Sequence, residues 1–266
     1  MAGPAEVEWR KLRADQLRGK ARQDAIVILP VASLEQHGPH LPVEVDSMLG
    51  ETVAVRAARK VATRGQEAVV LPVLWTGLSE HHMSFGGTIT LDFPSFASLV
   101  EGVCRSVLRH GFQRIVLLNA HGGNENALRT ITDELTPKFG VPIVQFTYWY
   151  AAAAAIAKIL ETQSVLMHAC EAETSMMLAV RPELVAMDRV GMAKANSTPD
   201  VGDVVGGGVY RWRTIGARSS SGVIGNPEAA TAEKGERLFD AISSALAEKL
   251  CSAELWELPW QAERVE

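Results

Sequence analysis

Cysteine is scarce and scattered in this chain. Cys104, Cys170 and Cys251 are the only three among 266 residues, and no two form a Cys-x-x-Cys pair. A disulfide framework is thereby removed from consideration, and a reducing, cytoplasmic compartment is expected. Blocks of lysine and arginine are missing as well. With 26 basic residues against 31 acidic ones the formal charge is −5, which argues against nucleic acid or an anionic membrane as partner. No apolar run reaches the roughly 18 residues of a membrane span. The nearest, AAAAAIAKIL (151–160), reads as a packed helix. The opening MAGPAEVEWRKLRADQL carries no apolar core of the signal-peptide kind. The phosphate-cradling patterns GxGxxG and GxxxxGK[ST] are absent too. What remains is an ordinary globular composition, 47% hydrophobic and 21% charged, suited to a small-molecule ligand.

Short apolar runs alternate with helical patterns along the chain. AIVILPVAS (25–33), AVVLPVL (68–74), RIVLLN (114–119) and PIVQFTYW (142–149) read as strands. Helices are expected over 47–63, 96–111, 125–140 and 227–250, with another starting near Ala172. Strands apolar on both faces and separated by helices indicate an α/β fold, a mainly parallel central sheet covered by helices on either side. The Gly-rich, polar stretch 186–222 reads as long loops within one domain spanning 1–266.

Polar groups concentrate in three segments. EQHGPHLPVEVD (35–46) directly follows the first strand, NAHGGN (119–124) ends the third, and MHACEAETS (167–175) opens a helix. Ligands of open α/β sheets bind at the carboxyl ends of the strands, where the first two segments lie. In extended backbone, residues two apart face the same way, so Glu35 and His37 can address one site. Asp46 returns after a turn set by Gly38, Pro39 and Pro42. Imidazoles and carboxylates suit borderline divalent ions. With His121 and a carboxylate from Glu171 or Glu173 they suffice for a two-metal centre about 3.5–4 Å across, Asp46 being the choice for the bridge. Glu44 and His40 lie nearby.

These segments, with GLSEHHMSFGGTITL (77–91) and SGVIGNPEAATAEKGE (221–236), resemble the creatininase (creatinine amidohydrolase) family in order over nearly the whole chain. The resemblance implies a three-layer α/β sandwich, commonly a hexamer, with a dinuclear metal site that hydrolyses amide-type C–N bonds. Carried over residue by residue, it makes Glu35, His37, Asp46 and His121 metal ligands. The family's remaining glutamate falls on Gly123 here, so Glu173 is expected to replace it, with Glu171 the runner-up. Met167 and Ser164 stand where creatininase itself has an acid and a tryptophan, which detaches the family from creatinine as substrate.

The expected cofactor is two divalent ions per subunit, zinc first and manganese or iron as alternatives. His168 and Glu171 are the candidate catalytic groups, His168 as proton shuttle. Trp149, His81, Ser79 and the Gly122–Gly123 loop are candidate substrate contacts, the loop through its backbone N–H groups. Arg211, Arg213 and Arg218 leave three options open: solvation, an acidic substrate or a neighbouring subunit. Cys170 reads as packing rather than nucleophile. The leading expectation is hydrolysis of a cyclic amide, lactam or formamide by metal-activated water. Trimming of a short modified peptide in a cofactor pathway and non-catalytic metal-stabilised binding are the alternatives.

Overall fold

The computed structural model describes residues 6–193, 209–258 and 260. In chain order its helices and strands are α1 (Ala14–Arg22), β1 (Ile26–Val31), α2 (Val45–Thr63), β2 (Ala68–Val70), α3 (Phe93–Arg109), β3 (Arg114–Asn119), α4 (Glu125–Phe139), β4 (Ile143–Thr147), α5 (Tyr148–Ala151), α6 (Ala153–Ile159), α7 (Glu171–Val180) and α8 (Ala232–Leu250). Within the loop region expected at 186–222, residues 194–208 lie outside the described residues, as do both chain ends.

Four parallel strands pair in the order β2-β1-β3-β4. Every residue of β1 is buried, as the uninterrupted apolar run requires of a central strand. Alternation then divides the core. Ile26 and Ile28 of β1, with Val116 and Leu118 of β3, pack under α2, α7 and α8. Val27, Leu29 and Val31, with Ile115 and Leu117, pack under α3 and α4. The result is helix, sheet, helix: a three-layer α/β sandwich.

The strands are shorter than the apolar runs that encode them. β2 stops at Val70 instead of running to residue 74, because Pro72 has no N–H to give the ladder. Pairing returns only as an isolated bridge between Val31 and Leu74. β4 ends at Thr147, where the chain turns into α5 and takes Trp149 out of the sheet. Helix ends follow local chemistry. Asp92 accepts from the Ser95 N–H at 2.9 Å and starts α3, Thr231 accepts from the Lys234 N–H at 3.2 Å and starts α8, and Gly140, in the left-handed region at φ 67°, ends α4.

Helices α7 and α8 cross closely at Gly235. A methyl group there would stand 2.0 Å from the Ser175 carbonyl oxygen, in the middle of α7. Gly235→Ala therefore forces the helices apart, and since α7 carries the acidic segment 171–173, the site should feel it. Overpacking of this kind costs about 1–3 kcal/mol. A lower urea midpoint with unchanged slope is the expected result.

Candidate metal centre and active site

The carboxyl ends of β1 and β3 point at one place. Glu35 and His37 follow β1, and His121 follows β3. Asp46 sits in the first turn of α2 and Glu173 in the first turn of α7. All five side chains are buried, a costly arrangement for charged groups unless each finds a partner.

Their partners form two triads that meet at Asp46. One oxygen, Oδ2, lies 3.2 Å from His121 Nδ1, which is itself 3.0 Å from Glu35 Oε2. The other, Oδ1, lies 3.2 Å from His37 Nε2, and Glu173 Oε2 stands 3.9 Å from the same nitrogen. Glu35, Asp46 and His121 thus make one compact donor set, and His37, Asp46 and Glu173 make a second. Glu35, His37 and His168 form a third grouping.

Each imidazole is oriented from behind. His37 Nδ1 donates to the Glu35 carbonyl oxygen at 3.0 Å, turning Nε2 inward. His121 Nε2 lies 3.2 Å from the Leu78 carbonyl oxygen, to which it donates, and turns Nδ1 inward. Holding one ring nitrogen on a carbonyl while presenting the other is how metal-binding histidines are fixed. His37 Nε2 and Asp46 Oδ2 are buried atoms with no hydrogen bond, both inside the donor sets. They are the orphans a cation would satisfy.

The electrostatics agree. Burial disfavours charge on His37, but Asp46, Glu173 and Glu35 together outweigh it and raise the imidazole to about 9. Burial likewise opposes charge on His121, and Glu35 and Asp46 carry it well above its usual value. Glu35 is held well below the carboxylate range, its desolvation overcome by His121, His82 and His168. Burial pushes Glu173 up to about 8, with His37 opposing the shift and Asp46 adding to it. A pocket whose field retains protons on two buried imidazoles is a pocket whose field favours cations.

These groups form the floor of a cavity of about 580 Å³. Glu35, Asp46, His121 and Glu173 reach its surface, and His81, His168, Trp149, Gly122 and Gly123 line it. His168 lies with Nδ1 3.6 Å from Glu35 Oε1, while Nε2 donates to the Gln36 carbonyl oxygen at 2.8 Å.

Two expected site residues are employed elsewhere. The Glu171 carboxylate, expected as a catalytic group or spare ligand, faces away from the cavity. It accepts from Lys234 Nζ at 2.7 Å and from the N–H groups of Glu161 and Thr162. Ser79, expected at the substrate, is fully buried and donates to Glu35 Oε2 at 2.7 Å, so it holds the Glu35 carboxylate in place rather than lining the cavity. Gly123 lines the cavity but is also forced to be small. A β-carbon there would come within 2.4 Å of both His121 Nε2 and the Leu78 carbonyl oxygen. A side chain there would have to displace His121 or the Leu78 carbonyl, and from α7 Glu173 joins His37 and Asp46 in the second donor set.

Three further groups support the site: His82, which the sequence offers with His81 as a substrate contact, Gln36, which has no role legible there, and Asn124, which stands there only among the ligand-type residues of NAHGGN. His82 Nε2 lies 3.2 Å from Glu35 Oε1, and Gln36 Nε2 lies 3.0 Å from His82 Nδ1 and 3.1 Å from the Gly222 carbonyl oxygen. Asn124 clamps the β1 and 77–78 loops through the Ala32 carbonyl oxygen and the Leu78 N–H. The adjacent His81–His82 pair was the available signal for the first; Gln36 and Asn124 carried none beyond their place in polar segments.

A family model described as Creatininase: Creatinine amidohydrolase matches residues 10–250. Creatinine amidohydrolase of Pseudomonas putida is 30% identical over 263 residues, covering 92% of this chain and 94% of that protein. A mycofactocin precursor peptide peptidase of Mycobacterium ulcerans is 31% identical over 217 residues, 80% of this chain and 79% of that protein. Two solved creatininase structures, a manganese form and a mutant of zinc–zinc type, each superpose with a TM-score of 0.79. Both are 26% identical, over 92% of this chain and 98% of theirs.

The two acidic residues of α7 should separate cleanly by mutation. Glu171→Ala leaves Lys234 buried without its buried partner and should destabilise the fold by about 3 kcal/mol, with divalent-ion binding retained. Glu173→Ala should weaken ion binding at least tenfold. Denaturation curves and ion titrations on the two variants check both halves.

Proposed function

The chain belongs to the creatininase family of hydrolases, and from that premise we propose that it cleaves a C–N bond of a small, non-peptide amide. A cyclic amide, lactam or formamide is the substrate class, and two divalent ions per chain are the cofactor. The observation that carries the reading is the pair of donor sets joined through the two oxygens of Asp46 at the cavity floor.

The residues fit the ions. Glu35 and His121 would hold one, His37 and Glu173 the other, and Asp46 both. Zinc is the first choice, with manganese or iron served by the same donors. Bound there, such ions supply Lewis-acid activation of water and of a carbonyl. The protein's own part is positional. Ser79 and His82 fix Glu35, the Leu78 carbonyl fixes His121, and the Ala169 N–H fixes the Glu173 carboxylate. Ala169 takes a left-handed φ of 52° to do so, strain of the kind found at functional sites.

His168 is the proton carrier in this reading. Its Nε2–H is committed to the Gln36 carbonyl oxygen, which leaves Nδ1 as an acceptor at the cavity wall. It can take a proton there and return it to the leaving nitrogen. Trp149 and His81 line the space a substrate would fill. The family resemblance and composition extend the proposal to a single domain over 1–266, assembled as a hexamer in the cytoplasm.

The relationship to the Mycobacterium ulcerans enzyme supports a second reading, removal of residues from a short peptide. A metal-loaded preparation assayed on lactams, cyclic amides, N-formyl compounds and short peptides decides between them. Turnover confined to the small amides supports the proposal. Release of a C-terminal dipeptide shifts it to peptidase, and full metal content with no turnover leaves a binding protein. His168→Ala should keep its metal and lose at least 100-fold in kcat. Loss of metal with activity would make His168 a ligand.

A further inference from the structure

The cavity changes character between floor and rim. Its floor is carboxylate-rich, yet Arg211, Arg213 and Arg218 also line it, beside Trp149 and Trp212. Arg218 is the informative one. Its Nε is buried and makes no hydrogen bond, and no carboxylate among the described residues comes within ion-pair distance. A half-buried guanidinium with a free donor, facing a ligand cavity, is an unsatisfied group whose natural complement is an oxyanion.

Arg218 is held firmly. It follows a 3₁₀ turn, Ile215–Ala217, capped by the Thr214 hydroxyl, and the Arg218 N–H donates to the Ile215 carbonyl oxygen at 2.8 Å. Ile215 is buried, and Gly216 rests on Ser84 and Phe85. That anchors the turn to the 3₁₀ segment Glu80–Phe85, which carries His81 and His82. Arg218 thus lines the same cavity as His81, Glu35 and His121.

We propose that Arg218 is a specificity residue that binds a carboxylate on the substrate while its amide lies over the Asp46 donor sets, so that the enzyme prefers anionic amides to neutral ones. The inference rests on the hydrolase reading for its amide half and on Arg218 alone for its anionic half. Arg211 and Arg213 enlarge the positive rim, and Trp149 and Trp212 offer flat apolar surface next to it.

Matched probes test the two halves separately on the metal-loaded, full-length protein. For turnover the pair is N-formylphenylalanine and its neutral carboxamide, each of which would take up water and release formate and a free amine. For binding the pair is phenylacetate and 2-phenylethanol, followed by calorimetry. Wild type should prefer the carboxylate substrate at least tenfold in kcat/KM, through KM. Arg218→Gln should collapse that ratio and weaken phenylacetate at least tenfold more than 2-phenylethanol. Arg218→Lys, which keeps the charge, should retain part of both preferences and controls for a variant that fails to fold. If neither formyl compound is hydrolysed but phenylacetate affinity still depends on Arg218, the anion site stands and the formamide branch of the hydrolase reading falls. Equal losses on charged and neutral probes, or phenylacetate binding indifferent to the substitution, would overturn the inference.

Discussion

The carboxylate of Asp46 has two oxygens, and each is aimed at a different buried histidine, 3.2 Å away on either side. Much of the structure follows from that one placement. Two buried imidazoles and three buried carboxylates, Asp46, Glu35 and Glu173, need charge compensation beyond what Asp46 alone gives. The arrangement is stable on its own only by keeping protons on both histidines, which is the direction their environments drive them. Divalent ions would replace those protons and satisfy the two atoms now lacking hydrogen bonds, His37 Nε2 and Asp46 Oδ2.

The fold supplies what this geometry demands. Parallel strands β1 and β3 lie side by side in register, Val31 opposite Asn119, so the residues that follow them enter the cavity together. Helix α2 brings Asp46 in its first turn, and the close α7–α8 crossing at Gly235 sets how near Glu173 can come. Around them lies a polar shell. Ser79, Gln36, His82 and Asn124 each bond to a ligand candidate or to the loop that carries one. None of the four belongs to the two donor sets, yet their loss should loosen the site as surely as loss of a donor.

Much of this was legible in the sequence. The four apolar runs announced a parallel sheet because only strands buried on both faces are apolar throughout, and the His- and acid-rich segments directly after two of them marked the ligand edge. What could not be read were choices that depend on rotation about a helix axis or on close approach of backbones. Glu171 and Glu173 are two residues apart, roughly 200° around a helix, so only one can face the site. The rotation of α7 favours Glu173 and gives Glu171 to Lys234. Ser79 lay in a recognised motif, but its fully buried position behind Glu35 came from tertiary packing. Gly123 read as a missing ligand; its real constraint is the Leu78 carbonyl oxygen against it. Arg218 sat in a Gly-rich stretch with no periodicity to say which way it turned.

The central claim is that Asp46 joins two ion sites, and elemental analysis of dialysed protein tests it most directly. Wild type saturated with zinc or manganese should carry two ions per chain, and Asp46→Ala should lose both, because each triad then keeps only two donors. Loss of one ion alone, or wild-type stoichiometry in the variant, would contradict a shared carboxylate. So would a wild-type chain that retains only traces of metal after saturation.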